Sequence, residues 1–203
     1  MVPNERTTVM SREDHPPSDM RVRALVDMWC RDYSARTGLN LHEVEQNGFT
    51  YVYDIESGRP VCVYGRSRSP SATRDTTRQR GTPLARTTDD RGHIIAHSMG
   101  GGMDINMIGQ DRTINRGSDW RAIERRAAAN PGTPVAVRLR YQGNADRPSR
   151  IDYAYEDADG LTVARFDNDR GLKIHERHTP PESRHIKVPT KRAGPSRDER
   201  SRS

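Results

Sequence analysis

The chain contains few of the residues from which proteins build large cores. Only 32% of its 203 residues are hydrophobic and 5% are aromatic, while 31% are charged, so we expect part of the chain to lie outside a packed core. No stretch approaches the roughly 18 apolar residues that cross a bilayer. The opening segment MVPNERTTVMSREDHPPSDM has no apolar region typical of a signal peptide. We therefore expect no membrane contact, and a location in the cytoplasm or export by a non-classical route.

Cysteine is scarce too. Cys30 and Cys62 are the only two, which excludes a cysteine-rich metal cluster or disulfide framework and leaves open whether they pair or stay reduced.

Acidic residues are outnumbered, and the net charge of +6 favours a polyanionic partner such as DNA or RNA. Most of this excess lies from Asn168 onward, where ten lysines and arginines face five aspartates and glutamates.

The pattern of apolar residues predicts one α+β domain with polar ends. A helix is expected from Ser18 to Thr37, with Ser18 as N-cap and Gly38 as its end, and a second helix over SDWRAIERRAAAN, capped by Ser118. Alternating strand-forming residues predict an antiparallel sheet. The predicted strands are a hairpin over 49–65, a short strand within 83–96, one strand over 135–141 and a second hairpin over 150–166. We assign residues 1–17 to a disordered lead, 18–167 to the domain and 168–203 to a basic flexible tail.

One stretch, TTDDRGHIIAHSMGGGMDINMIGQ, concentrates polar groups and glycines in the middle of the chain. Hydrolysis of a phosphodiester needs a base for the attacking water, a cation against the developing charge and a proton for the leaving oxygen. His93 can be the base, since an imidazole is neutral near physiological pH and accepts a proton. Its alternative role is structural, as a histidine bonded to a backbone carbonyl.

Two residues further on can serve a metal ion. Asn115 offers a neutral amide oxygen, which suits Mg²⁺ with its shell of waters, although an asparagine in INRGSD is also typical of a turn. Glu124 can hold metal-bound waters, or it can be a helix glutamate that pairs with a neighbouring arginine.

Arginines supply the remaining chemistry. Arg91, Arg116 and Arg125 can clamp phosphate oxygens through paired hydrogen bonds, but a helix face rich in arginine is also typical of a solvated surface. His97 forms an H-x3-H pair with His93, which predicts zinc only on a continuous helix. Because three glycines follow His97, a zinc hydrolase remains a minor alternative.

The segments DDRGHIIAHSMGG and INMIGQDRTINRGSDWRAIE together resemble the DNA/RNA non-specific endonucleases, ββα-metal or His-Me finger nucleases, in the branch of EssD-like toxin domains associated with type VII secretion. The resemblance implies that His93 is the general base, that Asn115 binds Mg²⁺ (or Mn²⁺) directly and that Glu124 holds its waters. Arg91 would assist at the phosphate, Asn106 and Gln110 would brace the site or contact substrate, and Arg116 and Arg125 would contact substrate. The products would carry 5′-phosphates.

The spacing of the motif departs from the family in one respect. Glu124 follows Asn115 by nine residues, where many members have eight, and nine residues on one straight helix would put the two side chains on opposite sides. We therefore expect Asn115 to precede the helix, with Gly117 forming the turn and Ser118 the cap. The family's later helix arginine has only Arg125 or Arg126 as a counterpart.

The sequence thus predicts a metal-dependent endonuclease of little sequence selectivity, since no segment resembles a base-reading module. A bacterial toxin or effector role would bring an immunity protein as partner. The alternative from another class is a nucleic-acid-binding protein whose nuclease site has decayed.

Overall fold

A computed structural model describes residues 19–70 and 84–181. The predicted lead, the Ser18 cap, residues 71–83 and the end of the predicted tail lie outside these ranges. Within them the chain forms a seven-stranded antiparallel sheet with elements packed on both faces. The α+β class predicted from the sequence is confirmed.

The large sheet is built from strands rich in β-branched and aromatic residues, which favour a pleated, half-buried surface. Its strand order is β1-β2-β3-β6-β7-β8-β9, and every neighbouring pair is antiparallel. The strands are β1 (Leu41–Gln46), β2 (Phe49–Asp54), β3 (Arg59–Arg66), β6 (Pro134–Arg140), β7 (Arg150–Asp157), β8 (Gly160–Asp167) and β9 (Leu172–Thr179). Strands β4 and β5 form a separate pair.

One face of the sheet is covered by helix α1 (Asp19–Thr37). Val22, Val26 and Trp29 recur at helical spacing and are buried against Cys62 and other small side chains of the sheet. The helix ends as predicted, because Gly38 adopts a left-handed conformation (φ +73°) that suits glycine.

The opposite face carries a ββα unit. It consists of β4 (Asp89–His93), β5 (Met107–Asp111), the one-turn helix α2 (Arg112–Asn115) and helix α3 (Ser118–Ala129). Between β4 and β5 run two 3₁₀ turns, His97–Met99 and Asp104–Asn106. The larger hydrophobic core lies between this unit and the sheet, with Trp120 edge-on to both Tyr153 and Phe166.

The sheet has two strands that the sequence pattern did not predict. β1 pairs with β2, and β9 pairs with β8, so residues 172–179 belong to the sheet and the expected start of a flexible tail at residue 168 is wrong. Both strands lie at sheet edges and are largely exposed. An edge strand without a buried face needs no alternation of apolar and polar residues, which explains why neither was recognised.

None of the helices in the described ranges is long and apolar enough to cross a membrane.

Candidate active site of the ββα unit

Strands β4 and β5 hold the DRGH motif in a fixed register. Gly92 pairs with Ile108 and Asp90 with Gln110. A side-chain carbon on Gly92 would collide with the Gln110 amide. Glycine is therefore required at position 92, because the Gln110 side chain lies directly over the backbone there.

His93 is the last residue of β4, and only 7% of its surface is exposed. Arg91 lies two residues earlier, half-buried. Because side chains alternate along a strand, Arg91 and His93 share one face. The structure thus places the predicted base and a guanidinium on the same face of a short strand.

Asp90 joins this strand to helix α2. Its carboxylate accepts hydrogen bonds from Asn115 Nδ2 (3.0 Å), from Arg116 Nε and Nη2 (2.7 and 2.8 Å) and from Arg112 Nε (3.3 Å). Burial alone would raise the pKa of Asp90, but the hydrogen bonds from Arg116, Asn115 and Arg112 outweigh it, and the pKa lies below its usual value. Asn115 is thus linked to the DRGH strand through Asp90.

The turn between α2 and α3 accommodates the nine-residue spacing. Asn115 is the last residue of α2 and precedes the long helix, as predicted. Gly117 lies between the helices, and a Cβ there would approach the Thr113 carbonyl oxygen to 2.5 Å. The predicted Ser118 cap is wrong: Gly117 occupies the N-cap position without a side-chain bond, and Ser118 is the first helical residue. The tight turn of α2 brings the helix start forward by one residue.

Glu124 lies one turn after Trp120 on α3 and is half-buried. The Trp120 indole Nε1 donates a 2.8 Å hydrogen bond to Glu124 Oε1. Tyr153 lies beneath this pair, edge-on to Trp120, and its hydroxyl donates to Met99 Sδ in the 3₁₀ turn that follows His93. Burial, and then the Glu124 charge, raise the pKa of Tyr153 well above its usual value. Glu124 and the segment after His93 therefore both interact with the buried Tyr153.

Asn106 and Gln110 are completely buried. The Asn106 amide accepts from Ile95 N and donates to the carbonyl oxygens of Ile95 and Gly102, at 2.8 to 2.9 Å. Of the two predicted roles, bracing the loop is the one that the structure favours for Asn106, whereas neither polar atom of the Gln110 amide has a hydrogen-bond partner in the described ranges. Direct contact with substrate does not fit, because neither side chain has exposed surface.

The two arginines predicted to bind substrate lie in different surroundings. Arg116 is exposed but forms a two-point ion pair with Asp90. Arg125 lies on the exposed side of α3. Both arginines thus lie at the surface, but Arg116 has a bond that orders the strand–helix junction.

The predicted zinc alternative receives no structural support. His93 ends a strand and His97 begins a 3₁₀ turn, so they do not share a helix face. Within residues 19–70 and 84–181, no group of three or more histidine, cysteine, aspartate or glutamate side chains is arranged to bind a metal.

The donor set fits a hard divalent ion held mainly by water. Because Asn115 Nδ2 donates to Asp90, the amide is oriented with Oδ1 as the atom left for a cation. A neutral oxygen ligand suits a hard divalent ion such as Mg²⁺.

Sequence reasoning missed a buried anchor at the start of β4. Arg147 donates through Nε and Nη2 to both oxygens of Asp89 (2.7 and 2.8 Å), and through Nη1 to Asp169. Asn168 is also buried there, accepting from Asp111 N and donating to the Gly109 carbonyl. No pattern around RPSR distinguishes Arg147, whereas Asp90 could have been singled out as the first residue of DRGH.

The fold of this chain is similar to that of several solved nucleases. A search of curated sequences finds no match. Similar solved structures include an EndoG/EndoGI complex (16% identity over 63% of this chain and 74% of that chain, TM-score 0.42). Others are the Sda1 nuclease with bound zinc (20%, 64% and 75%, 0.39) and an extracellular endonuclease (15%, 73% and 81%, 0.35).

A model of one protein family matches residues 40–159, which is more than half of the chain and includes the entire ββα unit. The chain belongs to the DNA/RNA non-specific endonuclease family.

Proposed function

We propose that this protein is a divalent-metal-dependent endonuclease that hydrolyses phosphodiester bonds of DNA or RNA with little sequence selectivity. Family membership supports a hydrolytic nuclease. The observation that carries the metal-dependent mechanism is the Asp90–Asn115 hydrogen bond, which ties the proposed metal ligand to the strand that ends in the proposed base. Mg²⁺ is the ion that best fits a single neutral oxygen ligand, with Mn²⁺ as a substitute.

His93 is proposed to act as general base. A neutral imidazole accepts a proton from water as the water attacks phosphorus. His93 is buried at the end of β4, with 7% of its surface exposed. Arg91 on the same strand face is positioned to hold a phosphate oxygen through its planar guanidinium.

Asn115 would hold the metal and Glu124 its waters. A bound divalent ion supplies positive charge against the phosphorane and a source of acidic water. The chain's part is to orient both side chains in advance: Asp90 fixes the Asn115 amide, and Trp120 fixes one Glu124 oxygen. Such supporting hydrogen bonds are typical of metal-binding sites.

The decisive experiment incubates supercoiled plasmid and single-stranded RNA with wild-type protein and His93→Ala, in Mg²⁺ and in EDTA. We expect degradation only by wild type and only with metal. Cleavage by His93→Ala at the wild-type rate would reject the proposed base. Tight binding without cleavage in Mg²⁺, Mn²⁺ and Zn²⁺ would support a decayed site instead.

A toxin role neutralised by an immunity protein rests on the similarity of the motif to the EssD-like branch. Expression of wild type in a bacterial host should arrest growth, while His93→Ala is tolerated. Equal growth with both, at equal protein levels, would contradict the toxin role without affecting the nuclease.

A further inference from the structure

The sheet face that carries α1 has a row of charged side chains beyond the part covered by the helix. Register places Arg138 of β6 opposite Asp152 of β7, and Asp152 opposite Arg165 of β8. Two residues along these strands, Arg140 lies directly opposite Arg150. All are on the face away from the ββα unit, since Arg138 bonds to Asp32 of α1.

Cations outnumber anions on this face. We define the arginine groove as the surface that contains six arginines and three aspartates: Arg36, Arg138, Arg140, Arg150, Arg165 and Arg177 with Asp32, Asp152 and Asp167, the last of which lies opposite Arg150. Asp152 pairs with Arg165, and Asp32 with both Arg138 and Arg36. In the part of the chain that the structure describes, no carboxylate forms an ion pair with Arg140 or Arg150.

Arg140 is held in an unfavourable position for a cation. Like charges directly opposite on neighbouring strands destabilise a sheet, and Arg140 and Arg150 are such a pair. Burial, followed by repulsion from Arg138, Arg165 and Arg36 against attraction from Asp152, lowers the pKa of Arg140. A bound anion would relieve this repulsion.

The shape of this surface suits one extended strand. Helix α1 packs mainly on β3 and β6 and flanks this surface on one side, while β7, β8 and the edge strand β9 form its floor. Neighbouring strands lie about 4.8 Å apart, which puts β9 about 14 Å from β6. Val163 on this floor is half-buried, and Arg177 pairs with it across the edge strand.

We propose that the arginine groove binds the phosphate backbone of a single-stranded nucleic acid, as a second contact on the face opposite the ββα unit. The cations of the groove are guanidinium groups, which bind phosphate through two parallel hydrogen bonds. A duplex is stiff over the dimensions of one domain, and bending it costs several kcal/mol, whereas a single strand can follow a narrow floor. The nature of this ligand rests on the proposed function, because a nuclease must hold a long polyanion.

The test measures binding of a fluorescent 20-nucleotide single strand to full-length His93→Ala in EDTA, so that cleavage does not interfere. Arg140→Gln and Arg140→Gln/Arg150→Gln are compared in this background with Arg31→Gln. Arg31 is an exposed arginine on the solvent side of α1, so its loss changes net charge equally. Thermal unfolding of each variant verifies that it is folded.

Each phosphate contact contributes about 0.7 to the slope of log affinity against log salt for single strands. We expect Arg140→Gln to reduce the slope by about 0.7 and the double variant by about 1.4, and Arg31→Gln to leave it unchanged. At 0.1 M salt these changes correspond to about fivefold and 25-fold weaker binding.

Equal slopes for Arg140→Gln and Arg31→Gln would overturn the proposal and point to a different occupant, such as an acidic protein. Failure of the nuclease proposal is distinguishable, because it would appear as absence of cleavage by wild type in Mg²⁺ while the slopes still differ. With wild type, the groove variants should raise KM for long single strands and leave kcat unchanged.

Discussion

At the scale of single residues, the site depends on side chains that hold others in place. Asp90 accepts hydrogen bonds from one amide and two guanidinium groups. Because Asn115 Nδ2 donates to Asp90, Oδ1 is the atom of the Asn115 amide that is left for a cation. Trp120 likewise holds one carboxylate oxygen of Glu124 through its indole Nε1. These two supporting contacts can be tested separately from the residues proposed to do the chemistry.

Replacing Asp90 with asparagine keeps its shape but removes the charge. We expect Mn²⁺ affinity to fall about 10- to 100-fold, because Asn115 is no longer held in one orientation. Titration of Mn²⁺ followed by electron paramagnetic resonance measures this without any cleavage. Asp159→Asn, an exposed aspartate paired with Arg126, is the matched control, and a similar loss in that variant would count against a positioning role.

The same substitution should change how the free energy of unfolding depends on pH. Because the pKa of Asp90 is lowered in the folded protein, its contribution to stability is fully present above the unfolded pKa of about 3.9 and disappears as the pH falls through the folded pKa. The difference in unfolding free energy between wild type and Asp90→Asn should be constant above about pH 5 and should narrow below pH 4. Urea denaturation from pH 3 to 7 measures it, and a constant difference throughout would show that the carboxylate is not stabilised by its partners.

The two tryptophans of the chain provide a natural pair of variants. Trp120→Phe keeps an aromatic ring in the core but removes the donor to Glu124, whereas Trp29→Phe alters the opposite face of the sheet. We expect cleavage to fall about tenfold or more in Trp120→Phe and to remain near wild type in Trp29→Phe. Equal activity in both, measured well below their unfolding temperatures, would remove Trp120 from the site.

At the scale of elements, the junction of α2 and α3 sets the position of Asn115 relative to Glu124. Gly117→Ala would push the new methyl group against the Thr113 carbonyl, so the two helices must separate. A displacement of about 1 Å at a catalytic group costs on the order of 100-fold in rate. Plasmid cleavage should therefore fall much more than stability does.

Ala122→Gly is the control for this element. It lies on the exposed side of α3 and lowers helix stability by about 1 kcal/mol without altering the junction. If both variants lose stability equally and retain equal activity, the geometry of the turn is unimportant for catalysis.

How well the sequence predicts each element depends on where its partners lie along the chain. Asn115 ahead of a helix and Gly38 after one are local patterns, and the structure confirms their placement. The Asp90–Arg116 pair and the edge strand β9 are not local, because they depend on which segments meet after folding. Ser118 failed as a cap because a one-turn helix is too short to show a periodicity.

At the scale of the whole molecule, a buried ion pair connects the ββα unit to the large sheet. The side chains of Arg147 and Asp89 are 5% and 0% exposed, and Arg147 follows β6 whereas Asp89 begins β4. Loss of one partner leaves an uncompensated charge in the interior, which is far more costly than loss of a surface pair.

Arg147→Met should therefore reduce the free energy of unfolding by about 3–5 kcal/mol. Arg126→Met, which removes an exposed arginine paired with Asp157 and Asp159, should cost less than about 1 kcal/mol. Urea denaturation at neutral pH compares the two. Similar losses would mean that water reaches Asp89 and that the pair is not a true interior anchor.

This anchor also bears on how such a nuclease can be inherited or rebuilt. The β4–α3 segment is continuous in sequence, so recombination could transfer it to another protein as one piece. Two of its aspartates, however, have partners outside it. Asp89 pairs with Arg147, 58 residues further along, and Asp111 with Asn168, 57 residues further along. A chimaera that exchanges only the segment with the DRGH motif would receive Asp89 without Arg147. Exchanges that preserve activity should carry both ends of this contact, so sequence drift in β4 and in the loops at 147 and 168 should be coupled.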